Sequence, residues 1–138
     1  MGNTSTDRRQ CPDPANTILI VEDDPQAAKL LSLCLTRAGY DVLLAGNGIV
    51  AVELASRCHP KAITLDILLP DRDGWEVLAE LKASPRTRDI PVVIVSVLDQ
   101  PTLGFRLGAS DYLVKPVERW RIVLGKLGLI DDVTLSSL

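Results

Sequence analysis

Five short apolar runs alternate with stretches of helical spacing, and this alternation constrains the fold of the chain more than any other feature. Each run is rich in aliphatic and β-branched residues and is closed by turn residues, which is typical of parallel strands buried on both faces. Because crossovers between parallel strands are right-handed, five such units predict an α/β fold with a doubly wound parallel sheet. The runs are Thr17–Val21, Asp41–Ala45, Ala62–Leu65, Pro91–Val95 and Asp111–Val114.

Apolar residues between the strands recur at the spacing of amphipathic helices. The fourth helical stretch holds Pro101 near its start and Gly104 within it, so its intrinsic stability should be poor. We therefore expect it to be the most mobile element. The predicted helices are Gln26–Ala38, Ala51–Cys58, Trp75–Ala83, Gln100–Leu107 and a fifth carried by Trp120, Val123, Leu124 and Leu127.

Length and composition predict one domain, because 138 residues with 46% hydrophobic content can bury one core and leave no room for a second. We expect a disordered leader over residues 1–16, the domain over residues 17–127 and a C-terminal tail over residues 128–138. A net charge of -3 without a dense Lys/Arg block argues against nucleic acid as a partner.

The cysteines and the lack of long apolar segments predict a cytoplasmic protein. Cys11, Cys34 and Cys58 are far apart in sequence and odd in number, so we expect reduced thiols. No signal-like segment follows Met1, and no run approaches the roughly 20 apolar residues needed to cross a bilayer. A membrane partner is therefore not expected.

Polar residues follow four of the five strands at the point where each strand ends. Carboxyl ends of parallel strands meet at one edge of the sheet, where open α/β folds bind their ligands. Asp66 alone could simply end a strand or cap a turn. The other polar residues expected at the same edge favour a functional site. The residues are Glu22, Asp23 and Asp24 after the first strand, Asp66 after the third, Ser96 after the fourth and Lys115 after the fifth.

Four motifs together resemble the receiver domain of two-component response regulators, the CheY-like superfamily, over about residues 17–127. They are Ile-Val-Glu-Asp-Asp, Leu-Asp-Ile-Leu-Leu-Pro-Asp-Arg-Asp-Gly, Val-Ile-Val-Ser and Gly-Ala-Ser-Asp-Tyr-Leu-Val-Lys-Pro. The resemblance implies a flavodoxin-like fold of five strands in the order 2-1-3-4-5, with Asp66 as phosphoacceptor. It also implies a histidine kinase or histidine phosphotransfer protein as donor and a downstream protein target.

A magnesium site is expected around Asp66. Clustered carboxylates repel one another unless a cation offsets them, and ligands that are all oxygen suit Mg²⁺. The family match implies that Asp23 and Asp66 bind the metal directly, that the backbone carbonyl of Leu68 adds a third ligand and that Glu22 acts through water. Asp24 falls one place beyond the matched pair and is interpreted as a helix cap.

The other matched residues have roles in transfer and switching. Mg²⁺ and the Lys115 ammonium would stabilise charge on the phosphoryl oxygens while Asp66 attacks phosphorus. Ser96 would then donate a hydrogen bond to the phosphoryl group, and its movement would open space for Tyr112, so that these two residues form the switch. The resemblance further implies a cis peptide bond at Lys115–Pro116.

Two departures from the family pattern affect the surface that would contact the downstream target, so the family match does not predict that surface. Val97 stands where the family usually has a small residue, and the fourth helix is short, as in receivers attached to hybrid histidine kinases. One alternative is a phosphorylation-independent interaction module with the receiver shape. Another is an aspartate-nucleophile hydrolase, but enzymes resembling the haloacid dehalogenase family carry a second aspartate where this chain has Leu68. The favoured reading is a phosphoacceptor that is not an enzyme.

Overall fold

The computed structural model describes residues 11–116 and residue 125. Five parallel strands form one sheet in the order β2-β1-β3-β4-β5, which confirms the predicted flavodoxin-like topology. The strands are β1 (Thr17–Val21), β2 (Asp41–Ala45), β3 (Ala62–Leu65), β4 (Val92–Ser96) and β5 (Asp111–Val114). The helices are α1 (Pro25–Arg37), α2 (Gly48–Cys58), α3 (Gly74–Ala83) and α4 (Pro101–Arg106), and the predicted fifth helix lies outside the described residues.

Both faces of the sheet are covered, because alternate residues of each strand point to opposite sides. In β1, Leu19 and Val21 pack in a cluster with residues of α2 and α3. Ile18 and Ile20 point the other way and pack against α1. The sheet is therefore rigid at its centre, and the loops at its carboxyl edge extend from a fixed frame.

The segment before β1 differs from its prediction. A disordered leader was expected to run to residue 16, whereas Pro14–Asn16 form a short 3-10 helix whose first turn is capped by the Asp13 side chain. The Asn16 side chain donates to the Gly39 carbonyl oxygen at 3.1 Å. These local and tertiary hydrogen bonds order a polar segment that has no apolar periodicity to reveal it.

The prediction of reduced cysteines is wrong for one pair. Cys11 and Cys58 are joined in a disulfide with a Cα–Cα distance of 5.2 Å, although they are 47 residues apart in sequence. Cys11 lies beside the end of α2, and separation in sequence cannot show this proximity. Within the described part of the chain, none of the helices has both the length and the apolar character required to cross a membrane.

Candidate functional site

The site lies at the carboxyl edge of the sheet, on residues that directly follow three strands. The parallel hydrogen-bond pattern continues one residue past each strand: Glu22 N donates to Ala45 O, Asp66 N to Val21 O and Lys115 N to Ser96 O, at 3.0, 3.0 and 2.8 Å. The backbone at these positions is thus as firmly held as the sheet itself. The side chains attached there therefore start from fixed backbone positions at one edge of the sheet.

Lys115 connects two acids of the site, the partly buried Glu22 and the buried Asp66. Its Nζ atom donates to Glu22 Oε1 at 2.5 Å and to Asp66 Oδ2 at 2.9 Å. The second oxygen of Asp66, Oδ1, accepts from the Leu68 amide at 3.0 Å. Asp66 is only 6% exposed, so these donors orient a carboxylate that has little contact with solvent.

Burial and hydrogen bonding between charged groups have opposite effects on the pKa values of Glu22 and Lys115. Burial raises the pKa of Glu22, and the hydrogen bond from Lys115 offsets this only in part. Burial lowers the pKa of Lys115, but the hydrogen bonds to Glu22 and Asp66 outweigh it, so the pKa of Lys115 rises overall. Lys115 is therefore a permanent cation between two acids.

Glu22, Asp23 and Asp66 form an acidic cluster whose nearest ligand atoms all lie within 4.8 Å of one another. When all three are ionised, they face one ammonium, and a divalent cation would offset the remaining negative charge. The oxygen donors, partly buried and partly open through exposed Asp23, fit Mg²⁺. Asp24 caps α1 by accepting from Gln26 N, as predicted. The ligand role of the Leu68 carbonyl stays a prediction.

The two residues expected to form the switch lie on neighbouring strands and reach the same loop. Ser96 ends β4, is fully buried, and accepts a long 3.4 Å hydrogen bond from Leu98 N. Tyr112 lies inside the protein: its hydroxyl donates to Leu98 O at 2.5 Å and accepts from Gln100 N at 3.3 Å. Tyr112 thus holds the β4–α4 loop at two points. The cis peptide bond at Lys115–Pro116 is confirmed.

Two residues that sequence reasoning did not assign to the site contact the Tyr112 ring. The Trp75 ring, in the first turn of α3, stacks on it with centroids 6.4 Å apart. Gly104 of α4 also lies against the ring, because an added Cβ there would be 2.8 Å from Tyr112 Cδ2. The sequence marks Trp75 only as part of an apolar helix face and Gly104 only as a weak point of a helix, because these contacts depend on the fold.

Asp71, in the loop after Asp66, is a further residue that sequence reasoning missed. Its two carboxylate oxygens accept from Gly48 N at 2.8 Å and Ile49 N at 3.0 Å, in the first turn of α2. Partial desolvation raises the pKa of Asp71, but these backbone hydrogen bonds outweigh it and lower the pKa overall. The contact fastens the loop behind Asp66 to a helix 22 or 23 residues away in sequence.

Residues 18–124 match the response regulator receiver domain, and the chain belongs to this family. It is a phosphoaccepting module of two-component signalling, a class of protein that is phosphorylated itself rather than turning over a separate substrate. Receiver domains of this class interact with histidine kinases and with downstream targets. The family assignment favours the phosphoacceptor over both alternatives raised by the sequence.

Individual relatives agree with the family. The DNA-binding dual master transcriptional regulator RpaA of Synechocystis is 44% identical over 104 residues, which is 73% of this chain and 43% of RpaA. The protein PilH of Pseudomonas aeruginosa is 40% identical over 104 residues, 73% of this chain and 86% of PilH. The chain thus spans less than half the length of RpaA and less than a quarter of that of the response regulator PleD of Caulobacter vibrioides.

A solved neighbour carries the metal expected for such a site. The receiver domain of a sensor histidine kinase from Pseudomonas aeruginosa has a magnesium ion coordinated in its active-site cleft. It matches this structure with a TM-score of 0.71 and 33% identity, over 82% of this chain and 98% of that one.

Proposed function

We propose that Asp66 receives the phosphoryl group, assisted by Lys115 and Ser96, with Mg²⁺ held by Glu22, Asp23, Asp66 and the Leu68 carbonyl. One observation carries this proposal: a buried carboxylate at the carboxyl edge of the sheet is oriented by Lys115 on one oxygen and by a backbone amide on the other. That arrangement presents an aspartate as a nucleophile of fixed direction, next to the acidic cluster.

The transfer breaks one bond and makes one. An Asp66 oxygen attacks phosphorus in line with the leaving group, and the bond from phosphorus to the donor nitrogen or oxygen breaks and leaves its electron pair on the donor. The product on Asp66 is an acyl phosphate. Lys115 supplies a cation that can move from Glu22 to the phosphoryl oxygens, where negative charge develops. Bound Mg²⁺ would neutralise further charge on those oxygens.

The readout follows from the hydroxyl of Ser96. A phosphoryl oxygen offers it a charged acceptor, a stronger partner than the long 3.4 Å contact with Leu98 N. A shift of Ser96 toward Asp66 would pull the β4–α4 loop, to which Tyr112 is hydrogen-bonded at Leu98 and Gln100. The charge gained at Asp66 is thereby converted into a movement on the face of α4 and β5.

The partners are proposed from exposed apolar side chains and charge. Leu30 and Leu33 of α1 are exposed on the helix that begins beside the acidic cluster, and they would contact a histidine kinase or histidine phosphotransfer protein. Phe105 of α4 and Val114 of β5 are exposed on the readout face and would contact the downstream target. The net charge of -3 supports protein rather than nucleic acid as partner, and a histidine-kinase donor supports a cytoplasmic location.

Phosphoryl uptake tests the assignment. Incubation with acetyl phosphate should label the chain in millimolar Mg²⁺ and not after removal of the metal by EDTA. Asp66→Asn should abolish labelling, whereas the control Asp89→Asn, which alters an exposed aspartate between α3 and β4 outside the acidic cluster, should retain it. Labelling of Asp66→Asn at the stoichiometry of the unaltered protein would exclude Asp66 as the phosphoacceptor.

A further inference from the structure

We propose that Cys11 and Cys58 form a reversible dithiol–disulfide site that exchanges two electrons with a low-molecular-weight thiol couple such as glutathione. The two cysteines are bonded in the structure, and their Cα–Cα distance of 5.2 Å lies in the usual range for protein disulfides. Cys58 ends α2 and Cys11 precedes β1, so the bridge lies at the amino edge of the sheet. It is thus at the opposite edge from Asp66.

The position of Cys58 does not depend on the bridge. His59, which follows it, has a left-handed backbone with φ 48° and closes α2 by donating its amide hydrogen to Ala55 O at 3.1 Å. The His59 side chain is also within 3.2 Å of the Arg86 carbonyl oxygen. Because the end of α2 is fixed by these contacts, a reduced Cys58 would stay in place to bond Cys11 again.

The two sulfur atoms differ in their exposure to solvent, and this difference determines which cysteine reacts first with glutathione disulfide. Cys58 is 3% exposed and lies in the last turn of a helix, where the helix dipole disfavours a thiolate, whereas Cys11 is only half-buried. During oxidation the Cys11 thiolate attacks glutathione disulfide and releases one glutathione thiolate. Cys58, as thiolate, then attacks the Cys11 sulfur and releases the second. Two protein thiols are oxidised, one glutathione disulfide is reduced, and the thiol protons pass to the released glutathione.

The disulfide determines the position of only a few residues before β1. Thr17 Oγ1 donates to the Asp13 carbonyl oxygen at 2.7 Å, and the Asn16 side chain donates to the Gly39 carbonyl oxygen. These contacts hold residues 13–16 without the disulfide. Reduction should therefore release Cys11 and Pro12 from the end of α2 while the 3-10 helix persists, and oxidation should hold Cys11 there again.

Alkylation of the complete chain in glutathione buffers tests the site. The ratio of reduced to oxidised glutathione is varied, and each sample is then unfolded in urea that contains iodoacetamide, so that buried free thiols are also trapped. Mass spectrometry of the peptides identifies which cysteines were alkylated. Cys11 and Cys58 should be protected together in oxidising buffer and become alkylated in one transition, which Cys34→Ser should not shift. In Cys11→Ser, Cys58 should lose its protection as a disulfide. The proposal is overturned if the pair is never protected, or if it stays protected in fully reducing buffer as a permanent bridge.

Thermal unfolding supplies a second measure that does not rely on trapping. Closing a loop of 47 residues restricts the unfolded chain, so the oxidised protein should melt higher than the reduced protein by about 5 °C or more. Cys34→Ser should keep this difference and Cys58→Ala should remove it. Equal midpoints for the oxidised and reduced forms of the unaltered chain would overturn the proposal.

Discussion

At the scale of single residues, Gly74 shows how closely the loop behind Asp66 is packed. Gly74 N donates to Ile67 O at 3.0 Å, and a Cβ added at Gly74 would lie 2.4 Å from Ile67 Cα. The obstacle is backbone directly beside Asp66, so no flexible side chain can move out of the way. Only glycine allows the start of α3 to approach the loop this closely.

We expect Gly74→Ala to lower the free energy of unfolding by about 1–3 kcal/mol, the usual cost of overpacking. Urea denaturation measures it. The matched control is Gly46→Ala, because a Cβ at Gly46 meets nothing within 4 Å, and its effect should stay within about 0.5 kcal/mol. Equal effects of the two substitutions would show that the contact with Ile67 is not tight.

At this scale the sequence predicted which residues meet at the carboxyl edge of the sheet. Glu22, Asp66 and Lys115 each follow a strand directly, so knowing where the strands end was enough to bring them to one edge. The contacts between these residues were harder to predict from the sequence. That Lys115 contacts both acids at once depends on the order of the strands and on side-chain directions, which local periodicity does not contain.

At the scale of elements, Asp71 joins the loop after β3 to the start of α2. Its carboxylate accepts from two backbone amides that have no partner within the helix. A negative charge at this end of a helix also interacts favourably with the helix dipole. The amide of asparagine would keep one acceptor oxygen and lose both the second acceptor and the charge.

We expect Asp71→Asn to lower the thermal midpoint at pH 7 by a few degrees. The pKa of Asp71 is below its ordinary value of 3.8 in the folded protein, so its stabilising effect is complete above that value and is lost as the pH falls through the lower folded pKa. The difference from the unaltered protein should therefore narrow between pH 7 and pH 3. Asp99→Asn, at an exposed aspartate outside this contact, is the control. A difference that is the same at both pH values would contradict the role of the charge.

Gly104 links α4 to the switch, because its missing side chain leaves room for the Tyr112 ring. An added Cβ would meet Tyr112 Cδ2 at 2.8 Å and Ile94 Cδ1 at 3.0 Å. Alanine would favour the helix by about 1 kcal/mol over glycine in intrinsic propensity. Steric conflict and helix propensity therefore act in opposite directions at this position.

A double-mutant cycle separates the two effects. In the unaltered protein we expect Gly104→Ala to destabilise the fold and displace Tyr112, because the contact is tighter than side chains accept. In a Tyr112→Ala background the same substitution should stabilise the protein by up to about 1 kcal/mol. Urea denaturation of the four proteins gives the coupling energy, and a Gly104→Ala effect of the same sign and size in both backgrounds would exclude the contact.

The order of the strands and helices was predictable from the sequence, but the contacts between residues distant in sequence were not. Alternating apolar runs and helical spacing gave all five strands and the four described helices, within a few residues at the ends. Asp71 on α2, Trp75 on Tyr112 and the bridge from Cys11 to Cys58 each join residues distant in sequence. Such contacts follow from how the elements pack, which one sequence does not encode in any local pattern.

At the scale of the whole molecule, the proposed phosphorylation site and the disulfide lie at opposite edges of one sheet. The carboxyl edge holds the acidic cluster, Lys115 and the loop that Tyr112 restrains. The amino edge holds the disulfide and the segment before β1. Between them the core is buried on both faces of the sheet. A phosphoryl group at Asp66 should therefore act on its own edge and on the adjoining face of α4 and β5.

Amide hydrogen exchange of the complete chain, with and without the phosphoryl mimic beryllofluoride in Mg²⁺, measures which parts of the protein respond to a phosphoryl group at Asp66. We expect the largest change between Val97 and Val114, a range that includes the β4–α4 loop, α4 and β5. Ser96→Ala should still accept phosphoryl groups at Asp66 and should show a much smaller remote change, because its hydroxyl transmits the charge without receiving it. Changes of equal size in α2, or an undiminished response in Ser96→Ala, would show that the phosphoryl signal does not pass through Ser96 to the face of α4 and β5.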